Sequence, residues 1–263
     1  NLVNAAAYVF NPIVLDYLEA GVKADFGKYI FPSLHKELDL YAYNTPEYLK
    51  DMGTPDRLFK VEEALQSGKV AARNLNQLQK CVFLDRDGVI NIDTDLIHRP
   101  KDFQLYPYAA ESIKKLNKMG FLVVVVTNQS VIARGLCTIK ELGDIHKKME
   151  TELGADGAFV EAIYFCPHHP HGGFEGEIQE YKVKCECRKP SPGMLLQAQK
   201  RYNIDMGQSF FVGDSPRDIE AGANANVTTI RVKTGHGMKP HTTIPDHYVD
   251  TLVEAVRIIE EKQ

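Results

Sequence analysis

Two carboxylates lie two residues apart in Phe83-Leu84-Asp85-Arg86-Asp87-Gly88, directly after a short apolar run. In a loop, both can face one ligand. One carboxylate can attack phosphorus to form an aspartyl phosphate, and a second can protonate the leaving oxygen and then activate water. Acidic pairs end many strands, so this pair identifies nothing alone. Three other groups have matching chemistry. Val126-Thr127-Asn128-Gln129-Ser130 offers a hydroxyl and amides as neutral donors to phosphate oxygens, although the same run suits a helix-cap turn. Lys189, between Arg188 and Pro190, supplies a cation that would offset repulsion between a nucleophilic carboxylate and a phosphate dianion; a solvated surface lysine would read the same way. Val212-Gly213-Asp214, with Asp218 one helical turn further on, adds a carboxylate of the kind magnesium takes as one of its few hard ligands, or else a helix cap.

A second constellation is Cys166-Pro167-His168 followed by Cys185-Glu186-Cys187. Two tight pairs of soft ligands can close a tetrahedral zinc site on Cys166, His168, Cys185 and Cys187 with no open position, which makes the metal structural. His169 and His171 are expected in solvent. Such a site would pin the excursion from Gly172 to Gly176 and deliver Arg188 and Lys189. Five cysteines, two of them in Cys-x-Cys, are a poor disulfide framework, and Cys81 and Cys137 read as small apolar residues.

These residues need a scaffold. Apolar runs at Cys81 to Leu84, Phe121 to Val126, Ala158 to Phe165, Ser209 to Val212 and Val227 to Val232 are rich in β-branched residues and do not alternate, as in strands buried on both faces. Between them come amphipathic helices. Ala110, Ile113 and Leu116 repeat at helical spacing up to Gly120; Thr138 and Glu141 form a capping box ahead of Leu142, Ile145, Met149 and Leu153; Ser191-Pro192 and Ser215-Pro216 open two more. The alternation predicts an α/β fold, a doubly wound parallel sheet whose post-strand loops share one edge. Asp85, Asp87, Thr127 and Asp214 all fall on that edge. Upstream, Asn11-Pro12 and Thr54-Pro55 signal helix starts, and Val61 to Lys80 reads as a helix running into a polar linker. The expected division is 1–70, a linker 71–80, and 81–263.

Asp85-Arg86-Asp87-Gly88, Thr127-Asn128, Lys189 and Gly213-Asp214, in that order, resemble the four motifs of the haloacid dehalogenase superfamily. The resemblance implies Asp85 as nucleophile, Asp87 as general acid and base, magnesium held by Asp85, the Asp87 backbone carbonyl and Asp214, and Thr127 and Lys189 positioning the phosphoryl group. With the cysteine and histidine loop included, residues from about Cys81 to Gln263 resemble the branch containing heptose-1,7-bisphosphate 7-phosphatases and, less closely, histidinol-phosphatases. That branch implies substrate contacts from Arg134 and Arg188, though each arginine taken alone could be surface charge; Asn128 and Gln129 are expected to join them through their amides. Val131 stands where the branch usually has glycine. The front segment resembles the carboxyl-terminal part of a sugar-1-phosphate nucleotidyltransferase at Asn4 to Pro12 and Tyr48 to Leu58. Asp51 matches a metal-binding aspartate there, but the Gly-rich nucleotide loop is missing, so a packed remnant is expected. Removing a 7-phosphate leaves a sugar 1-phosphate, the substrate class of such a transferase, which would explain a fusion.

The chain has 263 residues, 25% of them charged, with a formal net charge of −4. That balance gives no general reason to approach nucleic acid or an anionic membrane and leaves a small molecule as the expected partner, which the resemblance implies is a phosphorylated sugar. No apolar run approaches the roughly 20 residues that span a bilayer, and Asn1 to Asn4 carry no leader pattern, so the cytoplasm is the expected location. A nucleotidyltransferase would need a triphosphate loop that is missing from this sequence. A non-catalytic zinc module would not need Asp85, Asp87 and Asp214 at strand ends.

Overall fold

The computed structural model describes Ala5, residues 7–173, 175–238 and 243–263. Asn1 to Asn4 and Ala6, at the start of the transferase-like stretch, and Phe174, inside the glycine-rich excursion, lie outside the described residues. The chain divides into two compact units, one ending at Lys69 and the other running from Val70 to Gln263.

In the front unit, Asn11 accepts a hydrogen bond from the Ile13 N–H (3.1 Å) and starts a 3₁₀ turn, Pro12–Tyr17; a π turn, Phe26–Ile30, leads into α1 (Phe31–Leu34). Val14, Ile30 and Leu34 form its small buried core, edged by Leu18, Phe26 and Leu38. Thr54-Pro55 opens α2 (Pro55–Gln66). The long helix expected from Val61 instead stops at Gln66; Gly68 turns the chain at φ 75° before the short α3 (Lys69–Ala72). Asp51 forms an ion pair with Arg57 and accepts the Gly53 N–H (2.8 Å), the bonding of an exposed turn.

The larger unit carries β1 (Cys81–Leu84), α4 (Ala109–Lys118), β2 (Leu122–Asn128), α5 (Ile139–Ala155), β3 (Ala162–Cys166), α6 (Gly193–Tyr202), β4 (Phe210–Gly213), α7 (Pro216–Asn224), β5 (Thr228–Val232), β6 (His247–Val249) and α8 (Leu252–Glu261). All neighbouring strands pair in parallel, in the order β3-β2-β1-β4-β5-β6. Alternate strand side chains enter two cores. Val82, Leu84, Val123, Val125 and Val212 pack with Ile113, Leu116, Leu142, Ile145 and Val256, whereas Cys81, Phe83, Val124, Val126 and Phe211 pack with Met194, Leu195 and Ala198. Helices therefore cover both faces, which is why the strands read as unbroken apolar runs. Burying one such side chain contributes roughly 1.5–3 kcal/mol.

In the sheet, three departures from the sequence reading exceed one residue. β2 continues through Thr127 and Asn128, because both pair with Phe165 and Cys166 of β3; the polar residues that look like a loop are held in the sheet by its ladder. β3 begins at Ala162 rather than near Ala158, since Ala158 belongs to the turn closing α5. β6 is a three-residue edge strand, too short to leave a periodic signal. The Thr138–Glu141 capping box forms with 3.2 and 2.8 Å bonds, and Gly120 takes φ 89° after α4.

Candidate active site and metal centres

The sheet order reverses at β1. The chain steps outward to β2 and β3, then returns to β4 on the other side, so the connections leaving the paired ends of β1 and β4 run in opposite directions and leave a crevice where open α/β sheets bind ligands. A solvent-open cleft of about 630 Å³ lies there, lined among others by Asp85, Asp87, Thr127, Lys189, Asp214 and Arg217.

Asp85 leaves β1 with its N–H bonded to Val212 O (3.0 Å). Lys189 Nζ lies 2.9 Å from Asp85, 2.6 Å from Asp218 and 2.9 Å from Val126 O. Asn128 fastens the lysine's main chain, accepting its N–H (3.0 Å) and donating to its carbonyl (3.1 Å). Gln129 donates to Asp87 (2.9 Å) and to Thr127 Oγ1 (2.8 Å). Asp87 also accepts from Asn91 (3.0 Å) and from Arg86, whose Nε and Nη2 approach its two oxygens at 3.1, 2.9 and 2.9 Å. Thus Asp85, Asp87, Thr127, Asn128, Gln129, Lys189 and Asp214, all singled out in the sequence, line one cleft.

Close packing of two glycines shapes the third carboxylate. A Cβ on Gly88 would sit 2.4 Å from Asp214 Oδ2, and one on Gly235 2.2 Å from the same atom; both residues hold positive φ, 80° and 54°. Gly235-His236-Gly237 therefore closes over Asp214, with the His236 N–H donating to Oδ2 (2.6 Å) and the His236 ring 3.2 Å from Asp93.

Four carboxylates, Asp85, Asp87, Asp214 and Asp218, meet two buried cations, Arg86 and Lys189. Burial, then the Asp218 charge, push Asp85 up to about 7, with Lys189 pulling the other way. Burial, Asp218 and Asp85 push Asp214 to about 8. Asp87 ends below the usual carboxylate range: burial raises it, but Arg86 and the Asn91 and Gln129 hydrogen bonds outweigh burial. Lys189 is raised, because Asp218 and Asp85 outweigh its burial. Asp85, Asp214 and Asp218 offer oxygens within 4.8 Å of one another. This surplus of hard anionic oxygen fits a small divalent cation. Asp218 is already committed to Lys189 and, through Oδ2, to Ser215 (2.9 and 2.7 Å), leaving Asp85 and Asp214 the freer donors.

Cys166, His168, Cys185 and Cys187 converge, with sulfur contacts of 3.3 Å (Cys187 to Cys185) and 3.5 Å (Cys166 to Cys185) and His168 Nδ1 at 3.4 and 3.6 Å from Cys187 and Cys166. Four soft donors at such separations fit a tetrahedral zinc ion. The following excursion leans on the loop after β2, where Ile178 N–H donates to Ala133 O (3.0 Å).

The arginines are placed differently from the core of the site. Arg188 donates to His168 O (2.8 Å), and His169 is partly buried rather than in solvent, its pKa lowered by burial and by the charges of Arg188 and Arg134. Neither arginine lines the cleft; Arg217, on the first turn of α7, does. Sequence reasoning passed over Arg217 and saw Asp218 without its role, while Gly235-His236-Gly237 read equally as a pocket lining or a mobile turn; His236 does line the cleft. A carboxylate four residues after Asp214 was the available signal for Asp218.

Residues 186–255 match the family described as HAD-hydrolase-like. The chain is 40% identical over 183 residues to a D-glycero-beta-D-manno-heptose-1,7-bisphosphate 7-phosphatase of Yersinia pestis, covering 69% of this chain and 94% of that protein. It is 39% identical over 184 residues to the enzyme of the same name from Escherichia coli strain K12, with the same coverage. Among solved structures, a D,D-heptose 1,7-bisphosphate phosphatase from B. bronchiseptica, complexed with magnesium and phosphate, superposes with a TM-score of 0.63 at 35% identity, covering 70% of this chain and all of that one.

Proposed function

Since this chain belongs to the haloacid dehalogenase-like phosphatase family that includes the heptose-1,7-bisphosphate 7-phosphatases, we propose that it removes the 7-phosphate of D-glycero-D-manno-heptose 1,7-bisphosphate through a phosphorylated Asp85. The observation that carries this is the meeting of Asp85, Asp87 and Asp214 at the carboxyl ends of β1 and β4, with Lys189 2.9 Å from Asp85. An Asp85 oxygen attacks phosphorus as the bond to O7 breaks, and Asp87 gives O7 its proton. Asp87 then takes a proton from water, which attacks phosphorus and frees Asp85 and inorganic phosphate. The depressed pKa of Asp87 suits the second step as it stands; for the first, the arriving phosphate dianion is a like charge that raises its proton affinity. Lys189 offsets charge on the nucleophile and phosphoryl oxygens, Asn128 fixes Lys189, and Gln129 ties Asp87 to Thr127, whose hydroxyl orients the phosphoryl group. Asp85, the Asp87 carbonyl and Asp214 would hold magnesium, whose charge would offset that of the phosphate during in-line attack.

Zinc on Cys166, His168, Cys185 and Cys187 would be structural. Arg134 and Arg188 are read as contacts for the far end of a bisphosphate. Free thiols and a phosphorylated sugar both suit the cytoplasm. The front unit, on Asp51-Met52-Gly53-Thr54-Pro55, is read as the end of a sugar-1-phosphate nucleotidyltransferase-like domain, which would join consecutive steps on one chain. The test is phosphate release, with magnesium, from the α and β anomers of heptose 1,7-bisphosphate and from histidinol phosphate. Heptose bisphosphate is expected to turn over fastest, and Asp85→Asn to lose at least about 1,000-fold; faster histidinol phosphate turnover would reverse the substrate assignment.

A further inference from the structure

Arg86 is fully buried, and Asp87 takes its Nε and Nη2 edge. The remaining nitrogen, Nη1, lies 3.4 Å from Nε2 of His146, which α5 brings in from 60 residues further along the chain. The imidazole is itself buried, its ring centroid 5.8 Å from that of Phe165 on β3. Arginine has donors only, so His146 Nε2 must be the acceptor and its ring proton must sit on Nδ1. We propose that His146 is a positioning residue for the phosphoryl-transfer chemistry, holding Arg86 in the plane from which that guanidinium grips Asp87. The inference rests on the acid–base role given to Asp87 above.

A guanidinium is a rigid plane on a flexible stem, so anchors at two edges fix it where one does not. Asp87 is the first anchor and His146 the second. Burial, and Arg86 beside it, drive the His146 pKa to about 3, with the Asp87 charge opposing, so the ring stays a neutral acceptor at working pH. Without it Arg86 would retain only the carboxylate as a side-chain partner and could pivot about that contact, leaving Asp87, still held by Asn91 and Gln129, without a fixed cation beside it.

The experiment compares kcat/KM on two substrates that differ in their need for an acid. The alkoxide of heptose 1,7-bisphosphate needs a proton to leave; p-nitrophenolate does not. Asp87→Asn should lose about 100-fold or more on the sugar and under about tenfold on p-nitrophenyl phosphate. His146→Leu should show the same bias more weakly, about tenfold against less than about threefold, and His146→Gln, which keeps an acceptor, should recover most of the loss. Equal losses on both substrates, or none on either, with Asp87→Asn still biased, would overturn the role of His146. An unbiased Asp87→Asn would instead overturn the acid–base reading and this inference with it. If His146→Leu does not fold, His146→Met lacks the same acceptor and is read identically.

Discussion

At the scale of single residues, the site is a set of opposed charges largely buried at the foot of an open cleft, and their protonation decides what they can do. His146 illustrates the sign of such effects. Its folded pKa is about 3, below the ordinary histidine value of 6.5, so the native state refuses a proton that the unfolded chain accepts. The stability this contributes is complete above about pH 6.5 and is lost as pH falls towards 3. Chemical denaturation of wild type and His146→Gln at pH 7 and pH 4.5 should show a shallower acid loss in the variant. Arg73 and Glu161 give the complementary case. Their 3.1 Å bridge is largely buried, and burial has carried Glu161 to about 7 despite Arg73. An acid with a raised folded pKa favours the native state while protonated, so stability falls as pH rises through that value. Breaking a buried pair costs roughly 3–5 kcal/mol when the remaining charge is fixed. Here Glu161 can neutralise itself, so Arg73→Ala should cost little at pH 6 and several-fold more at pH 9, measured by urea midpoints.

At the scale of elements, strand ends carry the residues that line the cleft, and the connections decide whether their partners arrive. Lys189, which lies beside Asp85, stands two residues after Cys187, so the cysteine cluster and this lysine share one short tether. Cys185→Ser should therefore lower bound zinc, measured by metal analysis, expose residues 167–184 to protease, and reduce kcat well beyond what a remote surface change would. The capping box of α5 is a local device: Thr138→Ala should cost about 1 kcal/mol in thermal melts and leave kcat/KM near wild type.

At the scale of the whole molecule, the cleft belongs to one unit. Every residue lining it falls between Asp85 and His236, and the sheet, both cores and the cysteine cluster lie after Val70. The proposed domain division predicts that residues 70–263 alone keep kcat/KM within about threefold of the full chain. A far larger loss would mean that the front unit takes part in catalysis or in holding the fold. Among the described residues no helix is long and apolar enough to cross a membrane.

Much of this protein was legible in the linear chain because the signals are local. A β-branched run buried on both faces, a capping box, and paired thiols two residues apart are each read within a few positions, and the parallel alternation follows from their order. Asp85, Asp87, Thr127, Lys189 and Asp214 could be named because each stands immediately beside such a signal. The partners of those groups could not. That Asn128 holds Lys189, that Gly235 closes over Asp214, that Arg217 rather than Arg188 lines the cleft, and that His146 braces Arg86 are facts about which helix packs over which strand. Only the folded sheet sets those distances, because separation along the chain says nothing about contact across a crevice.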